Sequence, residues 1–299
     1  MLNLERILNQ DRLLRALTGL NRKAFNALLP SFSQAYQNRL ARTATERQRA
    51  PGGGRKATLR TAAEKLFYIL LYCKCYPTFD LLSVLFNFDR SCAWDWVHGL
   101  LPVLEEALGQ KQALPERKLR SLKEFLERFP EVQEVIIDGT ERPVQRPQDS
   151  QKQKEHYSGK KKRHTRKHIT VSTRQKRVIF LTPARPGTVH DKRQLDEADL
   201  ISNIPEEVAV EGDLGFQGLQ NEFDNIHLPH KKPRGRELSE QQRQENRELS
   251  QRRVKCEHAH AGIKRYNAVS AVYRNRVFGF DDRLMLNATG LWNFYLDVA

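Results

Sequence analysis

Apolar residues recur every three or four positions over the first forty residues. Leu4, Ile7 and Leu8, then Leu13, Leu14 and Leu17, form one stripe; Leu20, Phe25, Leu28, Leu29 and Phe32 form a second. That period predicts amphipathic helices. Residues 41–56 lose the pattern, turn polar and basic, and centre on Pro51-Gly52-Gly53-Gly54, as a linker would. The helical period returns over 57–109 in three runs. Thr61 precedes Leu66, Ile69, Leu70 and Cys73, and Pro77 ends that run. Thr78 is placed to cap a short helix from Phe79 to Phe86. After Asn87-Phe88-Asp89, with Asp89 or Ser91 as cap, a third helix carries Trp94, Val97, Leu100, Leu101 and Leu104 on one face, and Pro102 should kink it. A short helix, a tight turn and a longer helix have the shape of a helix-turn-helix, and a plain helical bundle has the same pattern. In the first case Arg90, Ser91, Asp95 and Trp96, at the exposed start of the last helix, would lie in the major groove.

Residues 110–130 read as a basic helical connector ending at Pro130. Beyond it the period shortens. Val132 to Ile137 predicts a strand ending on Asp138-Gly139; His168–Val171, Arg177–Thr182, Val208–Val210 and Ile226–Leu228 predict four more. Helices are expected over 191–201, over 238–266 with a weak spot at Gly262, and over 278–296. Strands interleaved with helices indicate an α/β domain with a mixed sheet over 131–299, preceded by the all-α region. The organisation expected is 1–56, 57–109, 110–130 and 131–299.

Charge sharpens this picture. The chain has 299 residues, a formal net charge of +15 and four cysteines. Residues 141–176 hold 12 lysines and arginines against 3 carboxylates, and residues 231–265 hold 11 against 5. The rest of the chain is balanced, so the excess forms two basic surfaces suited to a polyanion. The alternative is a solvated charged face. Few cysteines, no membrane-length apolar run and no signal-peptide pattern lead us to expect a cytoplasmic protein with no membrane partner. Cys73, Cys75 and Cys92 with His98, or Cys256 with His258 and His260, lack the paired spacing of structural zinc sites, so no zinc is expected.

Two aspartates follow predicted strands, each with a glycine close behind: Asp138-Gly139 and Asp213-Leu214-Gly215. Side chains at neighbouring strand ends project into one cleft, and glycine permits close approach. Arg253, Glu257, His260 and Lys264 are spaced four, three and four, and so line one helical face. Three clustered carboxylates in a basic field suit two hard divalent cations and phosphodiester chemistry. Each residue taken singly has a blander reading: a turn, or a surface ion pair.

Several motifs together resemble one family. They are Asp138-Gly139-Thr140-Glu141-Arg142-Pro143, Gly159-Lys160-Lys161-Lys162-Arg163-His164-Thr165, Val189-His190-Asp191, Gly212 to Gly218 and Asn246 to Lys264. These are similar to the core of bacterial insertion-sequence transposases of the large family numbered five, whose catalytic domain resembles the Harbinger transposases. Leu17-Thr18-Gly19-Leu20 and residues 57–109 resemble that family's N-terminal DNA-binding region. The resemblance implies an RNase H-like fold and a catalytic, metal-holding triad of Asp138, Asp213 and Glu257. It implies two magnesium ions, with manganese able to substitute. It implies hydrolysis at the element's end, then attack of the freed 3′-hydroxyl on target DNA. DNA contacts are expected from Arg253 and Lys264, from Lys160, Lys161, Lys162 and Arg163, and from Arg142 and His190. The partners implied are double-stranded DNA, at element ends and target, and at least a second copy of the chain. The family's last motif begins with a tyrosine where this chain has Ser250. Cys256 and His260 read as packing residues, with His260 in reach of phosphate. An inactive DNA-binding regulator and a nuclease that cuts without joining share these motifs.

Overall fold

The computed structural model describes residues 2–44 and 57–298; most of the expected linker, including Pro51 to Gly54, lies outside them. The N-terminal helices are α1 (Leu4–Asn9), α2 (Asp11–Thr18) and α3 (Arg22–Ala44). Next come α4 (Ala62–Cys75), α5 (Phe79–Phe86) and α6 (Arg90–Gln110). The α/β part begins with α7 (Leu122–Arg128) and β1 (Glu134–Pro143). It continues with α8 (Ser150–His156), β2 (Tyr157–Ser158), β3 (Arg163–Ser172), β4 (Val178–Leu181), β5 (Arg185–Pro186) and α9 (Asp191–Glu197). Then follow β6 (Ala209–Glu211), β7 (Ile226–His227), α10 (Glu240–Lys264), α11 (Asn267–Ser270) and α12 (Phe280–Val298).

These elements form two compact units. One comprises residues 1–114, 263–271 and 275–299; the other comprises 115–262 and 272–274. The C-terminal helix, expected within the catalytic domain, therefore groups with the N-terminal helices. Its buried face explains this: Leu284, Met285, Ala288 and Leu291 are almost wholly excluded from solvent, and Asn293 Nδ2 donates to Ala113 O at 2.9 Å. Among the described residues no helix is long and apolar enough to cross a membrane, and all four cysteines are free.

In the helical unit Thr61 and Thr78 cap their helices through their side chains. The Thr61 hydroxyl accepts from Glu64 N–H while Glu64 reaches back to Thr61 N–H, a reciprocal capping box. Thr78 caps α5 through Leu81 N–H, and Asn87, at φ +54°, closes that helix in the left-handed conformation. Asp89 occupies the N-cap of α6 but its side chain makes no capping bond. The helix continues through Pro102, whose nitrogen has no N–H to donate. Tyr68 ties α4 to α6 by donating to Ala93 O at 2.9 Å and meets Phe86 edge-on.

The connector is not the helix expected. Residues 111–121 are largely irregular and only Leu122–Arg128 is helical. Gln112 sits at φ +53°, and Pro115 disfavours a helical Leu114. The segment finds its hydrogen bonds in the sheet instead: Glu116 N–H donates to Ile179 O, and Leu181 N–H donates to Glu116 O.

The sheet runs β2-β3-β1-β6-β7, with β4 and β5 also pairing β3. β1 is antiparallel to β3 over Ile136↔Ser172 to Pro143↔Thr165, and parallel to β6 over Glu134↔Ala209 to Ile136↔Glu211. Asp138 therefore lies inside a ten-residue strand, not at its end as expected. The polar run Thr140 to Arg142 looks like a loop in sequence, yet its backbone pairs residue by residue with β3. Alternate residues Val135 and Ile137 join Ile169, Val171, Val210, Leu195, Phe125 and Phe216 in the apolar core. Each such side chain contributes roughly 1.5–3 kcal/mol on burial.

Candidate active site

The parallel ladder between β1 and β6 stops at Ile136↔Glu211. Two residues further along each strand stand Asp138 and Asp213. Asp138 is still within β1, which goes on pairing β3, while Asp213 follows the end of β6; the two are close enough for the Asp213 charge to raise the Asp138 carboxyl. Asp138 Oδ1 accepts from Gly139 N–H at 2.8 Å; Asp213 Oδ1 caps a short 3₁₀ turn through Gly215 N–H, also at 2.8 Å. Burial pushes the Asp138 carboxyl up to about 6. Arg253 opposes that rise, Asp213 adds to it, and Lys160 draws it down.

Helix α10 covers this face. Arg253 lies 3.9 Å from Asp138 Oδ1, and His260 Nδ1 lies 3.7 Å from Asp138 Oδ2. Cys256 Sγ is 3.8 Å from His260 Nε2 and is buried, which, together with the nearby Asp138 carboxylate, pushes its thiol up to about 12. Glu257 is on the same helix but exposed, and among the described residues it has no ion-pair partner. The structure thus draws Asp138, Asp213, Arg253 and His260 together and leaves Glu257 facing solvent beside them.

Asp191, absent from the expected set, belongs to this neighbourhood. It opens α9 and pairs with Lys167 Nζ at 2.7 Å, both largely buried. Lys167 also donates to Val189 O at 2.8 Å. A Cβ at Gly139 would come within 3.3 Å of the Asp191 carboxylate, and one at Gly215 within 2.7 Å of it and 2.8 Å of Asp213 Oδ1. The close approach that these glycines allow is thus made by Asp191. Two signals pointed to it: the glycine behind each aspartate, and the Val189-His190-Asp191 motif.

The basic residues divide. Lys160, Lys161 and Lys162 form an exposed turn between β2 and β3, with Lys162 at φ +53°, and exposed Arg163 opens β3. Lys160 and Lys167 flank a cavity of about 290 Å³ beside Gly139. His190 is exposed at the N-cap of α9. Arg90 and Ser91 are exposed at the start of α6, where Arg90 pairs with Asp80 at 3.3 Å. Ser250 is exposed on α10, while Lys264 ends that helix within the other unit. Arg142 departs from expectation: it is fully buried, with its guanidinium 4.5 Å over the Tyr273 ring. Its even-numbered place on β1 puts it on the same face as Asp138 and Thr140, where it is buried.

Two partly buried carboxylates with Arg253 and Lys160 near them are an arrangement suited to metal-assisted phosphodiester chemistry. The chain belongs to the DDE superfamily endonucleases, whose family pattern matches residues 137–293. The helix-turn-helix of the same superfamily matches residues 58–110. The chain is also similar to a protein of Microchaete diplosiphon described as "Probable transposase for insertion sequence element IS702", with 27% identity over 286 residues and 95% of each chain covered. No solved structure matches.

Proposed function

We propose that this chain is a DNA transposase that binds the terminal inverted repeats of its own insertion sequence, cuts there and joins the freed end to target DNA. The observation that carries the reading is the Asp138–Asp213 pair: a carboxylate raised to about 6 by burial with a second carboxylate beside it. Such a pair calls for a hard divalent counter-ion, and its oxygen donors suit magnesium or manganese. Asp138 and Asp213 would hold two such ions, with exposed Glu257 as the third carboxylate. Bound there, the ions supply activation of the attacking oxygen and stabilisation of the leaving one.

The protein's own groups do the rest. Arg253 and Lys264 bind phosphates along α10; Lys160, Lys161, Lys162, Arg163 and His190 bind those flanking the cleft. Arg90 and Ser91 read the element's ends in the major groove. Water attacks the end phosphate and breaks its bond to the 3′ oxygen. The resulting hydroxyl then attacks a target phosphate and displaces a target 3′ oxygen. Joining two ends requires at least a dimer on DNA, acting on the bacterial nucleoid in the cytoplasm.

The test is cleavage of DNA from either side of the chain's own gene, with magnesium, comparing wild type with Asp138→Asn. Ends released only by wild type, followed by joined products, support the reading. Cutting without joining reduces it to a nuclease; binding with no cutting by either protein favours a regulator and directs attention to Ser250.

A further inference from the structure

The spacing of Trp94 from Val97 and Leu101 predicts a core residue, yet 42% of it is open to solvent in the second turn of α6. Trp96, expected in the groove, is half-buried instead, with Lys65 Nζ 5.8 Å over its ring. Trp94 falls four residues after Arg90 and three after Ser91, and so shares their exposed face. Its indole is held still. It stacks on His98, centroids 3.9 Å apart, and His98 meets Phe280 of α12 at 4.5 Å, all within the helical unit. Two rings this close do not fit on one face of an imidazole, so His98 lies between them. The hydrogen bonds of His98 fix its protons. Nδ1 lies 2.8 Å from Trp94 O, which only accepts, so Nδ1 carries a proton. Asn275 Oδ1 accepts from Val277 N–H at 2.9 Å, which turns Asn275 Nδ2 toward His98 Nε2, also at 2.9 Å. Nε2 therefore accepts and bears no proton. The imidazole is neutral, and burial favours that form by pushing its pKa below the usual value. Neither the ring nor the amide can turn over without losing these bonds.

A helix seated in the major groove meets base edges that are almost all polar; the apolar group there is the thymine 5-methyl. An aromatic face already fixed in place suits that methyl, because binding freezes no further rotamers. We propose that Trp94 is a specificity-determining residue that packs on a thymine methyl of the DNA bound by α6, and that His98, Asn275 and Phe280 are positioning residues that fix its ring. Arg90 and Ser91 supply the polar contacts one turn earlier on the same face. The prop comes from far along the chain: His98 and Asn275 are 177 residues apart in sequence. The helix-turn-helix of residues 58–110 is therefore completed by a segment outside it. This role rests on α6 being the groove-facing helix, as proposed above.

The test is in vitro selection from random duplex DNA by the full chain in EDTA, so that binding is read without cleavage. Each thymine of the selected motif is then replaced by uracil, which removes the methyl alone. One such replacement should weaken wild type about three- to fivefold. It should leave Trp94→Ala, already the weaker binder, unchanged. Trp94→Phe, which keeps a ring on His98, should fold and retain part of the methyl effect. Asn275→Ala, with Trp94 still present, should bind the motif with a smaller methyl effect than wild type. A methyl effect as large in Trp94→Ala as in wild type, or no thymine whose methyl wild type senses, would overturn the contact and leave the reading role of α6 standing. Failure of wild type to select any motif would sink that role and this inference together. A Trp94→Ala chain whose sedimentation changes but whose base preference does not would assign the indole to a second copy of the chain instead. An Asn275→Ala chain with the full methyl effect would remove the positioning role alone.

Discussion

On one side of β1, Val135 and Ile137 meet Ile169 and Val171 of β3 and the apolar residues of α9 and the surrounding turns. On the other side, Asp138, Thr140 and Arg142 are set opposite Thr170, His168 and Arg166 of β3, and α10 lies over them with Cys256 and His260. The two sets stand on opposite faces of a single strand and meet at adjacent residues, Ile137 and Asp138. The first face stabilises by removing carbon from water. The second is a buried polar layer in which each group must find a partner or a charge of opposite sign. A sheet can thus present chemistry on one face at a cost that the other face offsets.

The sharpest way to break this contrast is to truncate one residue on each side. Asp138→Ala should lower single-turnover cleavage by roughly 10²–10³-fold or more, with the fold kept. Ile137→Ala, its immediate neighbour, should cost about 2–5 kcal/mol in urea unfolding through transfer loss and cavity formation. Equal destabilisation by both substitutions would erase the distinction.

A finer comparison uses pH. The folded pKa of Asp138 is raised to about 6 from 3.8, so the folded state holds its proton more tightly than the unfolded chain. Its contribution to stability is fully present below about 3.8 and is lost as pH rises through 6. With chelator present, Asp138→Asn should therefore melt higher than wild type at pH 7, by roughly 1–3 kcal/mol. The gap should close by pH 4. Matching melts at pH 7 would mean that Arg253 already neutralises the carboxylate.

The smallest effect concerns the glycines between the two faces. Gly215→Ala pushes a methyl against Asp191 and Asp213 and should cost about 1–3 kcal/mol, read as a lower Tm. Asp191→Ala in the same chain should recover part of that loss. Additive losses instead would show that Asp191 is not what the glycine accommodates.

The same comparison explains what could be read from sequence. Thr61, Thr78 and Asn87 act on backbone within a few residues, so local pattern was enough to place α4 and α5. The apolar face of β1 was likewise legible as Val135 to Ile137. Its polar extension was not, because Thr140 to Arg142 are strand only by virtue of β3, more than twenty residues away. Asp138 and Asp213 were found because each follows an apolar strand. Asp191 was passed over because its partner Lys167 lies in another strand and the pair exists only once β3 and α9 pack. Arg142 stood in a motif that suggested DNA, but its burial against Tyr273 depends on β1 continuing as a strand and on a residue far along the chain.

The two ladders of β1 overlap at Ile136, two residues before Asp138. A strand at the rim of a sheet can fray alone; residues 134–136 of this one pair β6 and residues 136–143 pair β3, so freeing the whole strand requires both ladders to open. Amide exchange along β1 should accordingly report global unfolding and not local breathing. The carboxylate is mounted two residues past the point where both ladders hold the strand. Warming should leave its position unchanged until the whole unit melts, so that activity ends abruptly at the unfolding midpoint and does not fade on the approach to it.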